Sequence, residues 1–331
     1  KNIPIMEFGA RRARGVDSAI EASKYSYIGG CVGTSNTLAG KKYNIPVMGT
    51  MAHSFVTEYD SEYDAFLTYA KTFPNNTVLL VDTYDTLRSG VLNAIKVNRD
   101  YLIPNGYRLK GIRIDSGDLA YLSKQARKML DDADMHDVKI CLSNGLNEHS
   151  IADLIRQGAV IDSIGAGDNI AASKERMNGV YKLVAKESEG NIIPKIKVSN
   201  DAIKTTNPGY KKLYRFYDKD TGYALGDLIA LYNEKIPADK YTLMDPYENW
   251  KTTELNNYVL KELLIPIFKN GKLVYELPSL KKRQEYCSKE IQTLYPEVLR
   301  INKPHGYYVD LSIELLELKN KMILDTKKKE I

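Results

Sequence analysis

Two short motifs carry the side chains best suited to chemistry. The loop GTMAHS places His53 among small and hydroxyl-bearing residues that would let a large anion approach it, directly after the apolar run IPVM. The motif GIRIDSGD places Arg113 and Asp115 two residues apart in an otherwise apolar run. Histidine serves as a general acid or base near neutral pH, and arginine binds anions through paired hydrogen bonds. Taken alone, His53 could equally be structural, and Arg113 and Asp115 could form a structural ion pair beside a helix cap at Asp118.

The spacing of the second motif favours a functional site. Side chains alternate along a strand, so Arg113 and Asp115 share the face opposite Ile112 and Ile114. If the isoleucines pack under helices, the charged pair faces the axis of a barrel at its open end. Two inward charges in so apolar a strand are typical of a binding or catalytic site.

Three further loops could bind anions. SNGLNE (143–148) and IGAGD (164–168) are small-residue loops that can turn backbone N–H groups toward a phosphate. EFGARRARG places Arg11, Arg12 and Arg14 beside Phe8, and arginines in such a loop suit phosphate or carboxylate groups. Each loop also has an ordinary explanation, as a plain glycine turn or an exposed basic loop.

The elements that must position these loops repeat as strand, loop and helix up to about residue 185, which is typical of βα units. The candidate strands are 4–9, 27–33, 45–50, 77–83, 111–118, 138–145, 161–167 and 180–185. Eight strands suggest a barrel, whose active site would lie at the carboxyl ends of the strands. Beyond residue 209 the pattern changes to two hairpins with turns at Thr221-Gly222 and Asn270-Gly271, followed by helices over 279–295 and 312–324.

Composition excludes several classes of protein. Lys and Arg number 47 against 42 Asp and Glu, and the excess of +5 partly reflects a lysine run at 327–329, so no nucleic-acid partner is indicated. No apolar run approaches the roughly 20 residues that cross a bilayer, so no membrane association is predicted. The cysteines Cys31, Cys141 and Cys287 match neither a disulfide framework nor metal-ligand spacing, which favours a cytoplasmic location.

Read together, the motifs closely resemble the nicotinate phosphoribosyltransferase family. EFGARRARG, YIGGCVGTSNTLAG, GTMAHSFV, RIDSGD, SNGLNE, GVYKLV and KPHGYYVDLS are similar to that family's motifs, in its order, over nearly the whole chain. The resemblance implies an irregular TIM-like α/β barrel over 1–200, part of an α/β sandwich domain over 201–278 and a C-terminal helical appendage over 279–331. It also implies a homodimer with shared active sites.

The implied reaction joins nicotinate to phosphoribosyl pyrophosphate, giving nicotinate mononucleotide and pyrophosphate, with ATP hydrolysis coupled through phosphorylated His53. Magnesium would bridge the pyrophosphate without an assigned protein ligand. By position, Thr50 and Arg113 would hold the nicotinate carboxylate, and Asp115 the ribose hydroxyls. The predicted catalytic residues are His53 and Asp115; the predicted substrate-binding residues are Phe8, Arg11, Thr50, Arg113, Ser143, Asn144, Gly145, Gly165, Gly167 and Asp168.

Two departures from the family pattern accompany the resemblance. Asp168 stands where many relatives have threonine. A carboxylate cannot donate a hydrogen bond to a phosphate, whereas the threonine hydroxyl can. Relatives also carry well over a hundred residues before EFG, including an aromatic that reaches the partner's base site, so we expect an upstream segment of about 100–150 residues. The alternatives are a nicotinamide phosphoribosyltransferase, a sugar-phosphate lyase or isomerase, or a non-catalytic fragment. The lyase would need a lysine at a barrel strand end, and the motifs show none.

Overall fold

The computed structural model describes residues 2–172, 179–199, 204–248 and 250–329. The chain divides into two compact units, one comprising Lys1–Arg176 and Pro278–Ser288, the other Met177–Leu277 and Lys289–Ile331. Across the described residues, no helix has the length and apolar character needed to span a bilayer.

The first unit is built on a six-stranded parallel sheet in the order β2-β1-β6-β5-β4-β3. An isolated parallel bridge from Thr34 to Val47 extends the sheet beyond β2. The strands are β1 Ile5–Glu7, β2 Gly33–Thr34, β3 Val78–Leu80, β4 Gly111–Ile114, β5 Lys139–Leu142 and β6 Ser163–Ala166.

Helices connect these strands. They are α1 Val16–Ile28, α2 Thr37–Tyr43, α3 His53–Thr57, α4 Glu62–Thr72, α5 Val91–Val97, α6 Leu119–Asp131, α7 Glu148–Arg156 and α8 Asp168–Ala171. A 3-10 turn over Ala10–Arg12 follows β1, and π-helical turns at Thr86–Gly90 and Asn98–Leu102 flank α5. Alternating parallel strands and helices confirm the predicted α/β class.

Local sequence explains the elements nearest to the charged motifs. In β4, Ile112 and Ile114 are fully buried in the apolar core, whereas Arg113 between them is half-buried on the other side. The Asp118 carboxylate accepts a hydrogen bond from the backbone N–H of Tyr121 and so caps α6, as a residue before an apolar helical stripe is expected to do. Asn147 and Ser150 form a capping box at the start of α7.

The predicted count of eight barrel strands is wrong. Most of 27–33 belongs to the end of α1 and a turn, because Tyr27 packs on the buried side of that helix; only Gly33 reaches β2. The segment 45–50 contributes one bridge residue, and 180–184 lies outside every strand. Short apolar runs fit strand and buried helix equally well, so composition could not separate them.

The second unit is antiparallel in character. Its four-stranded sheet, in the order β13-β9-β10-β16, contributes Phe216, Leu228 and Tyr258 to a small core, and the separate two-stranded β11-β12 sheet contributes Leu243. The strands are β7 Ala185–Ser188, β8 Asn191–Pro194, β9 Lys211–Asp218, β10 Ala224–Leu231, β11 Lys240–Met244, β12 Thr252–Asn256, β13 Tyr258–Glu262, β14 Phe268–Lys269, β15 Lys272–Leu273 and β16 Val309–Leu311.

Both predicted hairpins and both late helices are confirmed. Gly222 turns between β9 and β10, and Asn270 and Gly271, with φ of 50° and 74°, turn between β14 and β15. The helices are α9 Leu280–Gln292, whose first residues belong to the first unit, and α10 Ile313–Lys329. The domain limits at residues 200 and 278 stay predictions.

Candidate active site

Arg113 is the centre of a polar cluster at the carboxyl end of β4. Its Nε donates to the Ser143 hydroxyl over 2.8 Å, one terminal nitrogen donates to Thr50 Oγ1 over 3.1 Å, and the other donates to Asp115 Oδ1 over 3.1 Å. The guanidinium carbon lies 5.1 Å from the centre of the Phe8 ring, which is within cation–π range. Segments far apart in the chain are thus brought together around one cation.

Asp115 links this cluster to the histidine. The Ser143 hydroxyl donates to Asp115 Oδ1, so Arg113, Ser143 and Asp115 form a closed triangle of hydrogen bonds. The other carboxylate oxygen, Oδ2, lies 3.8 Å from His53 Nε2. Three-quarters of the Asp115 side chain is buried, so the triangle holds its orientation and leaves Oδ2 directed at the histidine.

His53 is the first residue of α3, and its imidazole is partly exposed. Its Nδ1 lies 3.1 Å from the Thr83 hydroxyl oxygen, which follows β3. With Nδ1 engaged by Thr83, Nε2 is the nitrogen on the side of Asp115. Nε2 is therefore the ring nitrogen that is available for chemistry.

Arg113, Asp115 and His53 line one cavity of about 340 Å³, together with Thr50 and Phe8. It is lined by Phe8, Arg11, Ser35, Gly49, Thr50, Met51, Ala52, His53, Leu80, Arg113 and Asp115. Ser35, Gly49 and Thr50 also line a larger neighbouring cavity of about 720 Å³. The smaller cavity has an aromatic ring, a cation and hydroxyl groups in contact range, a lining suited to a planar anion.

The buried carboxylate of Glu7 holds the Phe8 loop in place. It accepts hydrogen bonds from the hydroxyls of Ser23 and Thr34 and from the backbone N–H of Gly9, and its side chain is completely buried. These bonds join β1 to α1 and β2 directly behind Phe8. Glu7 therefore positions the loop that lines the cavity.

The two glycine loops have different environments. A Cβ on Gly165 would lie 2.6 Å from the Phe8 ring, and one on Gly167 would lie 2.7 Å from the Phe8 carbonyl oxygen, so both glycines make room for Phe8. A Cβ on Gly145 would meet nothing within 4 Å, and Asn144 and Gly145 both have positive φ, 101° and 57°. Of the two loops, the one at 143–145 presents open backbone.

Asp168 pairs with Arg12. The Arg12 Nε lies 2.8 Å from Asp168 Oδ1, and about half of each side chain is exposed. The next residue, Asn169, donates from Nδ2 to the carbonyl oxygens of Gly145 and Leu146, which ties the loop after β6 to the loop after β5. Asp168 therefore lies where three loops meet.

The structure adds residues that the motif analysis missed, namely Glu7, Ser35, Asp82 and Thr83. Asp82 follows β3 and accepts from the Asp115 backbone N–H and the Ser116 hydroxyl. Its Oδ1 is buried without a hydrogen-bond partner among the described residues. The run TVLLVDT ends on Asp82 and Thr83, so the strand-end rule that selected Asp115 could have selected both.

The described residues show no cage of metal-binding side chains. Within the described parts of the chain, no three His, Cys, Asp or Glu side chains are placed to hold a metal ion. Burial raises the pKa of the Cys31 thiol to about 11, with a further contribution from Glu7, and burial also raises the pKa of the Cys141 thiol. Neither thiol is therefore activated as a nucleophile.

Comparison with known proteins identifies the family. The family model described as "Nicotinate phosphoribosyltransferase (NAPRTase) family" matches residues 3–220, and that of the nicotinate phosphoribosyltransferase C-terminal domain matches 210–319. Nicotinate phosphoribosyltransferases from Bacillus subtilis and Dictyostelium discoideum are 43% and 36% identical over 97% of this chain. The chain spans 66% and 63% of their respective lengths.

A solved structure agrees with the sequence comparisons. The crystal structure of human nicotinic acid phosphoribosyltransferase superposes with a TM-score of 0.77 at 29% identity, covering 96% of this chain and 70% of the human chain. Both family models match in their expected order, and together they account for most of the chain. The chain belongs to the nicotinate phosphoribosyltransferase family.

Proposed function

We propose that the protein forms nicotinate mononucleotide and pyrophosphate from nicotinate and phosphoribosyl pyrophosphate, with coupled hydrolysis of ATP. The observation that carries the proposal is the cavity in which Arg113, Thr50 and Phe8 surround a space suited to a pyridine carboxylate. Asp115 and His53 line the same cavity, so base, ribose and phosphoryl chemistry would share one site.

Base recognition follows from the types of group present. Arg113 would donate charge-assisted hydrogen bonds to the carboxylate of nicotinate, supported by the Thr50 hydroxyl. The Phe8 ring would lie against the pyridine ring and keep water away from it. Nicotinamide is neutral and cannot return the charge-assisted bond in full, so the acid is the proposed substrate.

Transfer of the ribosyl group breaks the bond from C1 to pyrophosphate and forms the bond from C1 to the pyridine nitrogen. The transition state has oxocarbenium character, so correctly placed charges matter more than a covalent nucleophile. Asp115 would orient the ribose hydroxyls and stabilise the positive charge that develops on the sugar. Arg11 would contact the departing pyrophosphate or the base, and the loop at 143–145 and the neighbouring Gly165–Gly167 segment would hold the 5-phosphate.

His53 would couple ATP to this reaction. Its Nε2 attacks the γ-phosphorus of ATP, the bond to the β-phosphate oxygen breaks, and ADP leaves while the phosphoryl group stays on His53. Water later cleaves the P–N bond and releases inorganic phosphate. The contact between Nδ1 and Thr83 supports this role because it leaves Nε2 on the cavity side.

The residues present are compatible with a magnesium ion that enters bound to the substrate. Asp82 has a buried oxygen without a partner among the described residues, and its other oxygen accepts a hydrogen bond from the Asp115 backbone N–H. These two carboxylates would hold the ion, with phosphates and water as its other ligands. When bound, magnesium neutralises charge on the pyrophosphate. We further propose that the protein is a homodimer with shared active sites. We also propose that it acts in the cytoplasm, where ATP and phosphoribosyl pyrophosphate are available.

The test is to supply the protein with phosphoribosyl pyrophosphate, ATP, magnesium and either nicotinate or nicotinamide, and to identify the nucleotide by mass. Nicotinate mononucleotide together with ATP-dependent phosphate release is the expected result. A higher kcat/KM for nicotinamide than for nicotinate would instead identify nicotinamide as the substrate. If no nucleotide forms from either base, the proposal is wrong.

A further inference from the structure

Arg12 and Asp168 form an ion pair at the meeting point of three loops that surround the candidate phosphate site. The two residues are 156 positions apart in the sequence and are joined by the 2.8 Å contact from Nε to Oδ1. In the described part of the chain, neither terminal nitrogen of Arg12 has a hydrogen-bond partner, and neither does Asp168 Oδ2. The guanidinium thus uses one donor on a carboxylate and keeps its paired N–H face free.

The surroundings of this pair suit a phosphate group. Asp168 directly follows Gly167, and the side chain of Asn169 is bonded to the carbonyl oxygen of Gly145, beside the open backbone of the 143–145 loop. The Arg12 turn packs against the same region, because a Cβ on Gly9 would lie 2.7 Å from the Gly167 carbonyl oxygen. A planar guanidinium here matches two phosphate oxygens better than it matches one carboxylate oxygen.

We infer that Arg12 is a phosphate-binding residue and that Asp168 occupies it as an internal counter-anion, which the phosphate group of the substrate replaces. This inference rests on the proposed function and adds two residue roles to it. An ion pair that is half exposed on both sides contributes little stability, so exchanging the carboxylate for a phosphate dianion costs little. Asp168 then lowers phosphate affinity by competition and by repulsion.

The two partners should therefore have opposite effects when they are replaced. Asp168→Asn removes the competitor, keeps the side-chain shape and is expected to tighten phosphate binding by up to about fivefold. Arg12→Gln removes the ligand and is expected to weaken binding by about tenfold or more. A purely structural ion pair would behave differently, because loss of either partner would loosen the same loops and weaken binding in both variants.

The experiment is titration calorimetry of the wild type and both variants with ribose 5-phosphate, pyrophosphate and phosphoribosyl pyrophosphate. If the two variants change the affinity for ribose 5-phosphate in opposite directions, Arg12 binds the 5-phosphate. If only the affinity for pyrophosphate changes in this way, Arg12 binds the leaving group. Asp153→Asn is the matched control, since Asp153 is as exposed as Asp168 and pairs with Arg156 on α7 at 3.1 Å, and it should leave all three affinities unchanged. Melting temperatures of all variants verify folding.

Two outcomes would overturn the inference while leaving the proposed function intact. One is a wild type that binds phosphoribosyl pyrophosphate but whose affinity is unchanged or weakened by Asp168→Asn. The other is an Arg12→Gln variant that binds as tightly as the wild type. A wild type that binds none of the three phosphates would overturn both the inference and the proposed function.

Discussion

Arg113→Lys is the sharpest test of how the site recognises its base. The substitution keeps the positive charge but removes the planar fork. Arginine has five N–H donors, of which Arg113 uses three on Ser143, Thr50 and Asp115, so five minus three leaves two. These two donors are on the terminal nitrogens and are available to a carboxylate. Lysine has three donors, so matching the same internal bonds would leave none for the substrate.

The expected loss follows from this donor count. A hydrogen bond to a charged group contributes about 1.5–3 kcal/mol, and losing one such bond lowers affinity about 10-fold to 150-fold. We therefore expect KM for nicotinate to rise by about that factor, with a smaller rise for nicotinamide because its amide gains less from the cation. The preference for nicotinate over nicotinamide should shrink accordingly.

The assay is kcat/KM for both bases at saturating phosphoribosyl pyrophosphate, with melting temperatures measured for the wild type and the variant. The matched control is Arg127→Lys, since Arg127 is also a partly buried arginine that donates three hydrogen bonds, but it lies on α6 and outside the cavity. Equal losses for nicotinate and nicotinamide would refute direct recognition of the carboxylate by Arg113. An unchanged KM for nicotinate would refute it as well.

The remaining predictions concern catalysis, positioning and pH. His53→Ala should abolish the stimulation of nucleotide formation by ATP while leaving slow ATP-independent synthesis; synthesis that stays coupled to ATP hydrolysis would contradict the phosphohistidine. Glu7→Gln places an amide NH2 against at least one of three donors, so chemical denaturation should show a loss of about 1–3 kcal/mol in the free energy of unfolding. An undiminished free energy would mean that the Glu7 bonds contribute nothing. Burial, with help from Asp245, raises the pKa of Asp310 to about 6, so the folded state keeps that proton up to about pH 6 while the unfolded chain loses it near 3.8. The contribution of Asp310 to the free energy of unfolding is complete below pH 3.8 and is lost as the pH rises through 6. Asp310→Asn should therefore flatten the curve of unfolding free energy against pH in this range. An unchanged slope would contradict the burial argument.

Local sequence determined the chemistry of the charged motifs and several elements that carry them. The two-residue period of a strand places Arg113 and Asp115 on one face, and burial of Ile112 and Ile114 confirms it. The hairpin turn at Asn270-Gly271 follows from the residues themselves. Such features depend on neighbours within a few positions, which periodicity and turn preferences describe.

Only the tertiary structure decided which distant residues meet. Thr50 and Arg113 are 63 positions apart, and Arg12 and Asp168 are 156 apart, yet each pair is in hydrogen-bond contact. These contacts depend on the order β2-β1-β6-β5-β4-β3, which sets β1 beside β6 and brings the first arginine loop to the last small-residue loop. Strand order is a property of how whole βα units pack, and no local pattern in the sequence encodes it. For the same reason, the hydrogen bonds that the buried Glu7 carboxylate accepts from α1 and β2 could be recognised only in the folded structure.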